Sequence, residues 1–225
     1  MKITASIIVE SCEDHDSFWD LALGNGDTTL ANMLKTLNRA ALFDDLSIIT
    51  NEHRLIRQEQ FKGSKVYSLS PRLAYNFNFL DNIKLHNECF SLLEIGKLGD
   101  IHLFMDLRYQ LIQPQTIMGM FNTLMENRFA AKVIPVYQID PHLYMEIPGE
   151  ELFINLWGQQ GLDRQKHPPL FRTVGCCFLH HGRLKEMQPL TFPHHIDRIE
   201  GFKITSEEDI PFIDYVMKST PWQKQ

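Results

Sequence analysis

Apolar residues along this chain recur at two spacings, and the alternation between them predicts the elements. A short apolar run over residues 3–9 has the length of a buried strand. After the turn signal Gly24-Asn25-Gly26-Asp27, Leu30, Leu34, Leu37 and Leu42 recur at helical spacing, with Thr28 or Thr29 as the cap. Residues 46–50 read as a second strand. Asn51 is then placed to cap a short helix carrying Leu55 and Ile56, and residues 65–67 form a third strand. Ile83, Phe90, Leu93 and Leu98 outline a helix that ends near Gly96 and Gly99. Residues 101–105 are again strand-like, and Pro114 suits the first turn of a helix continued by Ile117, Met120, Phe121 and Leu124. A strand over residues 130–137 follows.

Strand and helix in alternation imply a mostly parallel, Rossmann-like α/β sheet covered on both faces. The pattern changes after residue 137. Residues 143–147, 152–156 and 173–179 are short strand-like runs separated by turns, including Pro168-Pro169. They predict a small antiparallel extension that returns to the main sheet. Residues 202–204 read as a last strand, and Ser206 as the cap of a helix carrying Ile210, Ile213, Val216 and Met217. The expected organisation is an α/β core over residues 1–137, an extension over 138–172, a return to the core over 173–218, and a loose tail over 219–225.

Composition narrows the classes of function. The 225 residues are 44% hydrophobic and 22% charged, which is ordinary for a soluble domain. A formal net charge of -6 argues against a nucleic-acid binder. No apolar run approaches the roughly 18 residues needed to cross a bilayer. The adjacent Cys176 and Cys177 would point to opposite faces of a strand, so a shared metal or an ordinary disulfide is not expected. With Cys12 and Cys89 they read as reduced thiols of a cytoplasmic protein.

In an open α/β sheet the ligand crevice lies outside the carboxyl ends of the strands. Residues 106–110, directly after the strand at 101–105, are therefore the first candidate site. Asp106 is placed to orient a ligand hydroxyl, or alternatively to pair with Arg108. Arg164 and Gln165 can hold a carboxylate or form a surface turn before Pro168. His180-His181 and His194-His195 match no standard zinc spacing, so no metal ligands are assigned.

Four stretches together resemble the nucleotide-sugar cytidylyltransferases, in particular the acylneuraminate (CMP-sialic acid) synthetases. These are residues 24–50, ending Ala40-Ala41-Leu42-Phe43-Asp44-Asp45-Leu46-Ser47-Ile48-Ile49-Thr50; residues 99–117; Arg164-Gln165-Lys166-His167-Pro168-Pro169-Leu170-Phe171-Arg172 with Gly175; and Phe202-Lys203-Ile204-Thr205-Ser206-Glu207-Glu208-Asp209-Ile210. The resemblance implies a nucleotide-diphospho-sugar transferase-like fold, with the extension making a homodimer. It implies transfer of a nucleotidyl group from CTP to a sugar acid such as a sialic acid, with Mg²⁺ if the protein is active. On that resemblance, Asp106, Arg108 and Lys203 are catalytic candidates. Gln110, Arg164, Gln165 and Thr205 would bind substrate, and Ser11 and Asn25 the nucleotide. The partners implied are a nucleotide or sugar-acid ligand and a second copy of the chain, with no nucleic acid and no membrane.

Three departures bear on the chemistry. The family's Gly-, Arg- and Lys-rich phosphate loop is replaced by Glu10-Ser11-Cys12-Glu13-Asp14-His15-Asp16, whose carboxylates repel a triphosphate unless a cation intervenes. The positions at which relatives hold Mg²⁺ with aspartates carry Lys203 and Thr205, and Arg108 replaces an acidic residue of some relatives. Either protein cations stand in for the metal or the metal site has been lost. The alternatives to a working transferase are a non-catalytic sugar- or nucleotide-binding relative and a glycosyltransferase of similar fold. The extension carries aromatics, including Phe153 and Trp157, that so small a unit cannot bury alone. The chain is therefore expected to sediment as a dimer at micromolar concentration; a monomer there removes this expectation.

Overall fold

The apolar periodicity is realised around one twisted sheet. The computed structural model describes residues 1–9, 18–68, 91, 93, 100–139, 144–146, 153–155, 170–185 and 190–219. Its elements begin with β1 (Ile3–Val9), α1 (Thr29–Ala40), β2 (Asp45–Thr50), α2 (His53–Ile56), β3 (Gln60–Phe61) and β4 (Ser64–Ser68). β5 (Ile101–Asp106), α3 (Pro114–Glu126) and β6 (Ala130–Ile139) follow. The hairpin strands β7 (Tyr144–Glu146) and β8 (Phe153–Asn155) come next. The chain then forms β9 (Leu170–Thr173), β10 (Cys176–His180), α4 (His181–Leu184), β11 (Leu190–His195) and α5 (Ile210–Lys218).

The sheet runs β11-β6-β10-β5-β1-β2-β4-β3, with β9 also paired to β6. Strands β4, β2, β1 and β5 are mutually parallel. β10 lies antiparallel between β5 and β6. The two strands flanking it therefore point the same way, and β11 runs parallel to β6 at the edge.

Side chains of β1 alternate between two cores, as the period of a strand requires. Ala5, Ile7 and Val9 join Leu30, Met33 and Leu37 of α1 and Ile117, Met120 and Leu124 of α3. Ile8 points the other way, to Ile49, Phe104, Cys177 and Leu179, with Leu93 and Leu184 packed on them. Each fully buried leucine of this kind contributes about 1.5–3 kcal/mol. Cys176 and Cys177 fall in different cores, as alternation predicts, and both thiols are free. Burial pushes the Cys177 thiol up to about 12, so it is protonated and inert at neutral pH.

Helix starts follow local chemistry with one revision. Thr28 caps α1 by accepting the Ala31 N–H, and α1 ends at Ala41 in the left-handed region, φ 52°. Thr29 instead donates its hydroxyl to the Phe18 carbonyl, which ties the preceding loop to the helix. The short helix α2 is capped by Glu52, not Asn51, because the Glu52 carboxylate reaches the Arg54 N–H at 3.0 Å.

Two larger corrections concern the second half. The run at residues 173–179 is two strands, β9 and β10, broken at Val174-Gly175. Both pair with β6, one beyond the other. The expected closing strand at residues 202–204 is not a strand. Its backbone is held by a turn from Phe202 N–H to the Ile199 carbonyl and one bond from Ile204 N–H to the Arg108 carbonyl. Lys203 and Thr205 therefore do not share a strand face. The edge position is taken by β11, whose mixed Leu190–His195 sequence gave no strand signal. The expected helix at 83–98, except for residues 91 and 93, and most of the extension, including the side chains of Phe153 and Trp157, lie outside the described residues.

The break at Gly175 has a steric cause. A Cβ there would meet the Tyr109 ring at 2.6 Å and the Asp106 Cβ at 2.9 Å. Gly175→Ala is expected to destabilise the chain by about 1–3 kcal/mol through this overpacking. Denaturant unfolding of the two proteins measures it, and equal midpoints would contradict the assigned contact.

Candidate active site

The crevice at the carboxyl end of β5 is built by a turn that folds Arg108 back onto Asp106. The Arg108 backbone N–H donates to Asp106 Oδ1 at 2.9 Å. Its side chain adds Nε to Oδ1 at 2.9 Å and Nη2 to Oδ2 at 2.6 Å. This fork-on-fork geometry is the strong form of an arginine–carboxylate pair. Asp106 is only 8% exposed, so the guanidinium, not water, supplies most of its solvation. The pairing with Arg108, one of the two roles open to Asp106 from sequence, is present.

Tyr109 packs beside this pair and over Gly175. Burial, with Asp106 adding to it, pushes the Tyr109 hydroxyl above its ordinary value, while Arg108, the Gly175 N–H and Arg172 act the other way. Arg172 is on β9 and exposed. The crevice thus gathers Asp106, Arg108, Tyr109 and Arg172 from two separate parts of the chain.

The connector at residues 202–205 crosses this place through the Ile204–Arg108 backbone bond of 2.9 Å. Lys203 is half-buried there. Thr205 is committed elsewhere. Its N–H and hydroxyl both donate to Asp209 Oδ2, at 2.7 and 2.9 Å, and the Ser206 N–H adds a third bond at 3.1 Å. The Thr205 N–H first, then its hydroxyl and the Ser206 N–H, hold the Asp209 carboxyl below its usual value. This is a helix-start cap, which the acidic triplet Glu207-Glu208-Asp209 foreshadowed.

Gln110 and Asn25 are brought together, but away from Asp106. Both line a cleft of about 870 Å³ walled by α1, the first turn of α3 and the last turn of α5, and neither Asp106 nor Arg108 lines it. Asn32 joins them: its amide donates to Gln110 Oε1 at 3.1 Å, and Asn25 approaches Asn32 Oδ1 at 3.5 Å. Gln110 in turn donates to the Leu107 carbonyl at 2.6 Å. Ser11, Arg164 and Gln165 lie outside the described residues.

Two residues of this region had no sequence signal. Asn32 reads as one polar position in an amphipathic helix. Glu200 ties down the start of α3, accepting the backbone N–H of the N-cap residue Gln113 at 3.1 Å and the Thr116 side-chain hydroxyl at 2.5 Å. Its partners are more than 80 residues earlier in the chain, beyond the reach of any local motif. The histidine pairs form no metal cluster among the described residues. His194 instead packs on Gly119 and contacts the Thr123 hydroxyl at 3.2 Å.

The mostly parallel α/β sheet matches the nucleotide-diphospho-sugar transferase-like fold of solved cytidylyltransferases. Three solved structures of that fold illustrate the likeness. CMP:2-keto-3-deoxy-manno-octonic acid synthetase complexed with CTP is 10% identical, with a TM-score of 0.66, covering 96% of this chain and 98% of that one. The 4-diphosphocytidyl-2C-methyl-D-erythritol synthase of Anaerococcus prevotii is 14% identical, TM-score 0.63, with coverages of 97% and 99%. The 2-C-methyl-D-erythritol 4-phosphate cytidylyltransferase of Francisella tularensis is 11% identical, TM-score 0.63, with coverages of 96% and 99%. No family model and no curated protein matches the chain. The shared property at these identities is the fold.

Glu200 makes a pH dependence that can be read directly. Burial raises its carboxyl above the ordinary 4.5, against the pull of the two donors from Thr116 and Gln113. The folded chain therefore keeps this proton to a higher pH than the unfolded chain. The stability contributed by this protonation is full below 4.5 and falls as pH rises through the raised folded value. Glu200→Gln removes the titration. The stability of the parent relative to the variant is expected to decline across that window in urea unfolding; a difference independent of pH there would exclude the raised carboxyl.

Proposed function

We propose that this chain is a cytidylyltransferase-like protein that binds CTP at the β5 crevice and transfers its cytidylyl group to a sugar acid such as a sialic acid. The observation that carries this reading is the Asp106–Arg108 pair at the carboxyl end of β5, with Tyr109 and Arg172 beside it. In the transfer, a hydroxyl of the sugar acid attacks the α-phosphorus of CTP. A bond from phosphorus to that oxygen forms, the bond to the bridging oxygen breaks, pyrophosphate leaves with the electron pair of that bond, and the hydroxyl proton is released to pyrophosphate or water. The protein's share of such a reaction is positioning and charge neutralisation. Arg108 and Lys203 would supply the positive charge, and Asp106 would fix the guanidinium plane. Ser11, Arg164 and Gln165, outside the described residues, complete the proposed set, while Gln110 and Asn25, expected in it, line the separate cleft beside α1.

The described residues do not fit the Mg²⁺ site that the fold family implies. A hard dication needs several free oxygen ligands. Both oxygens of Asp106 are taken by Arg108, the Thr205 hydroxyl donates to Asp209, and Lys203 brings a positive charge. The proposed chemistry has no metal step through them. The same commitment of Asp106 favours a second reading, a relative that keeps the ligand and has lost the transfer. A homodimer through residues 138–172 belongs to both readings.

Calorimetry with CTP, the other nucleoside triphosphates and nucleotide sugars, with and without Mg²⁺, tests the proposal alongside a pyrophosphate-release assay. CTP is expected to bind best among the triphosphates, without strengthening by Mg²⁺, and Arg108→Ala to weaken it about tenfold or more. Binding with no pyrophosphate release selects the second reading. Absence of any nucleotide binding overturns both, and tight Mg²⁺-dependent binding overturns the metal-free site.

A further inference from the structure

The sheet ends at β11. This strand pairs with β6 on one side, and among the described residues nothing pairs with its other side. At the opposite end of the sheet, β3 is only two residues long and too short to template another strand. β11 has six residues, Leu190-Thr191-Phe192-Pro193-His194-His195, and no Lys, Arg, Asp or Glu is among them. Leu190 is 48% exposed, and Thr191, Pro193 and His195 are exposed with it. Strands of another chain add readily to an edge of this kind, and charge on the edge is a common way of preventing it. Here that charge is missing.

The direction of each backbone group follows from the register. The Ile196 N–H donates to the Val136 carbonyl at 3.0 Å. Along a strand of a parallel pair, successive residues turn their backbone groups to opposite sides. Phe192 and His194 therefore face β6, as Ile196 does. Thr191, Pro193 and His195 face outward, in an unbroken register from Thr191 opposite Lys132 to His195 opposite Val136. The central outward position is thus a proline. It has no N–H to donate, and its ring lies where a neighbouring strand would approach. The register slip between Leu190 and Thr191 interrupts the same edge at its start.

We infer that Pro193 closes this edge of the sheet against a strand from a second copy of the chain. β11 completes the sheet through its inward residues, while the outward side lacks the central donor that pairing would need. The backbone of residue 193 makes no bond to β6, so an ordinary strand residue there would leave the sheet as it is. The inference concerns the edge alone and holds whether or not the β5 crevice binds a nucleotide.

Pro193→Val supplies the missing N–H on a residue that favours strands. In sedimentation of the full chain, this variant is expected to associate beyond the parent's own state, at about tenfold lower concentration. Pro193→Ala restores the same N–H with a weaker strand former and should shift association the same way, so a valine variant that fails to fold does not end the test. Adding Thr191→Lys to either variant puts charge on the exposed strand and should return it to the parent's state. Amide exchange locates the contact. In the parent, the Thr191 and His195 N–H groups should exchange fast, and those of Phe192 and His194 slowly. In the associated variant the amides of residues 191, 193 and 195 should become slow as well. The inference is overturned if neither variant associates more than the parent, if the added lysine does not reverse the association, or if the outward amides stay fast in the associated chain.

Discussion

The close approach of Gly175 to the turn after β5 is the constraint on which the rest of the molecule depends. The Asp106 N–H donates to the Gly175 carbonyl at 2.7 Å, and the Tyr109 ring fills the space where a side chain on residue 175 would stand. That contact lets one continuous segment bend, so that β9 pairs with the far part of β6 and β10 enters between β5 and β6. The antiparallel insertion brings the returning chain against the carboxyl end of a parallel strand. Arg172, on β9, comes near enough to Tyr109 to act on its hydroxyl, and the 202–205 connector separately bonds the Arg108 carbonyl through the Ile204 N–H.

Charge at the crevice is organised by geometry more than by number. Arg108 lies two residues from Asp106, and the turn folds it back so that backbone and guanidinium converge on one carboxylate. A carboxylate so nearly buried requires such a partner. The cost is that Asp106 has no oxygen left for a hard cation, which separates this crevice from a metal-dependent one. The Thr205 hydroxyl is removed from the site in a similar way by the Asp209 cap. Both residues serve local structure first, and any ligand chemistry must work with what remains.

The 107–113 loop divides two environments. Its first part presents Arg108 and Tyr109 to the crevice, and its later part presents Gln110 and Gln113 to the amide-floored cleft. Glu200 fixes the junction by bonding the Gln113 N–H and the Thr116 hydroxyl at the start of α3. One short loop thus carries two polar surfaces of different character, a charged pair and a neutral amide network.

The sequence alone determined β1, α1, β2, α2, β4, β5, α3 and β6, because each carries its own apolar period; the two-residue β3 and the Glu52 cap of α2 had no such signal, and the expected helix at 83–98 lies almost wholly outside the described residues. Thr28, Pro114 and Ser206 all stand at helix starts as their chemistry requires. It also determined that residues 106–110 follow a buried strand. Only the tertiary structure decided which partner each polar group takes. The reach of Glu200 back to α3 and the meeting of Asn32 with Gln110 rest on contacts across the chain, whereas the Asp106–Arg108 pair is closed by a local turn whose outcome the sequence had left open. The closing strand at 202–204 failed for the same reason: its apolar residues are spent on the α5 core, where Ile204 packs with Ile213 and Val216, and its donors on local turns and Arg108. Local pattern sets what a segment can become, while the partners that arrive from elsewhere set what it does.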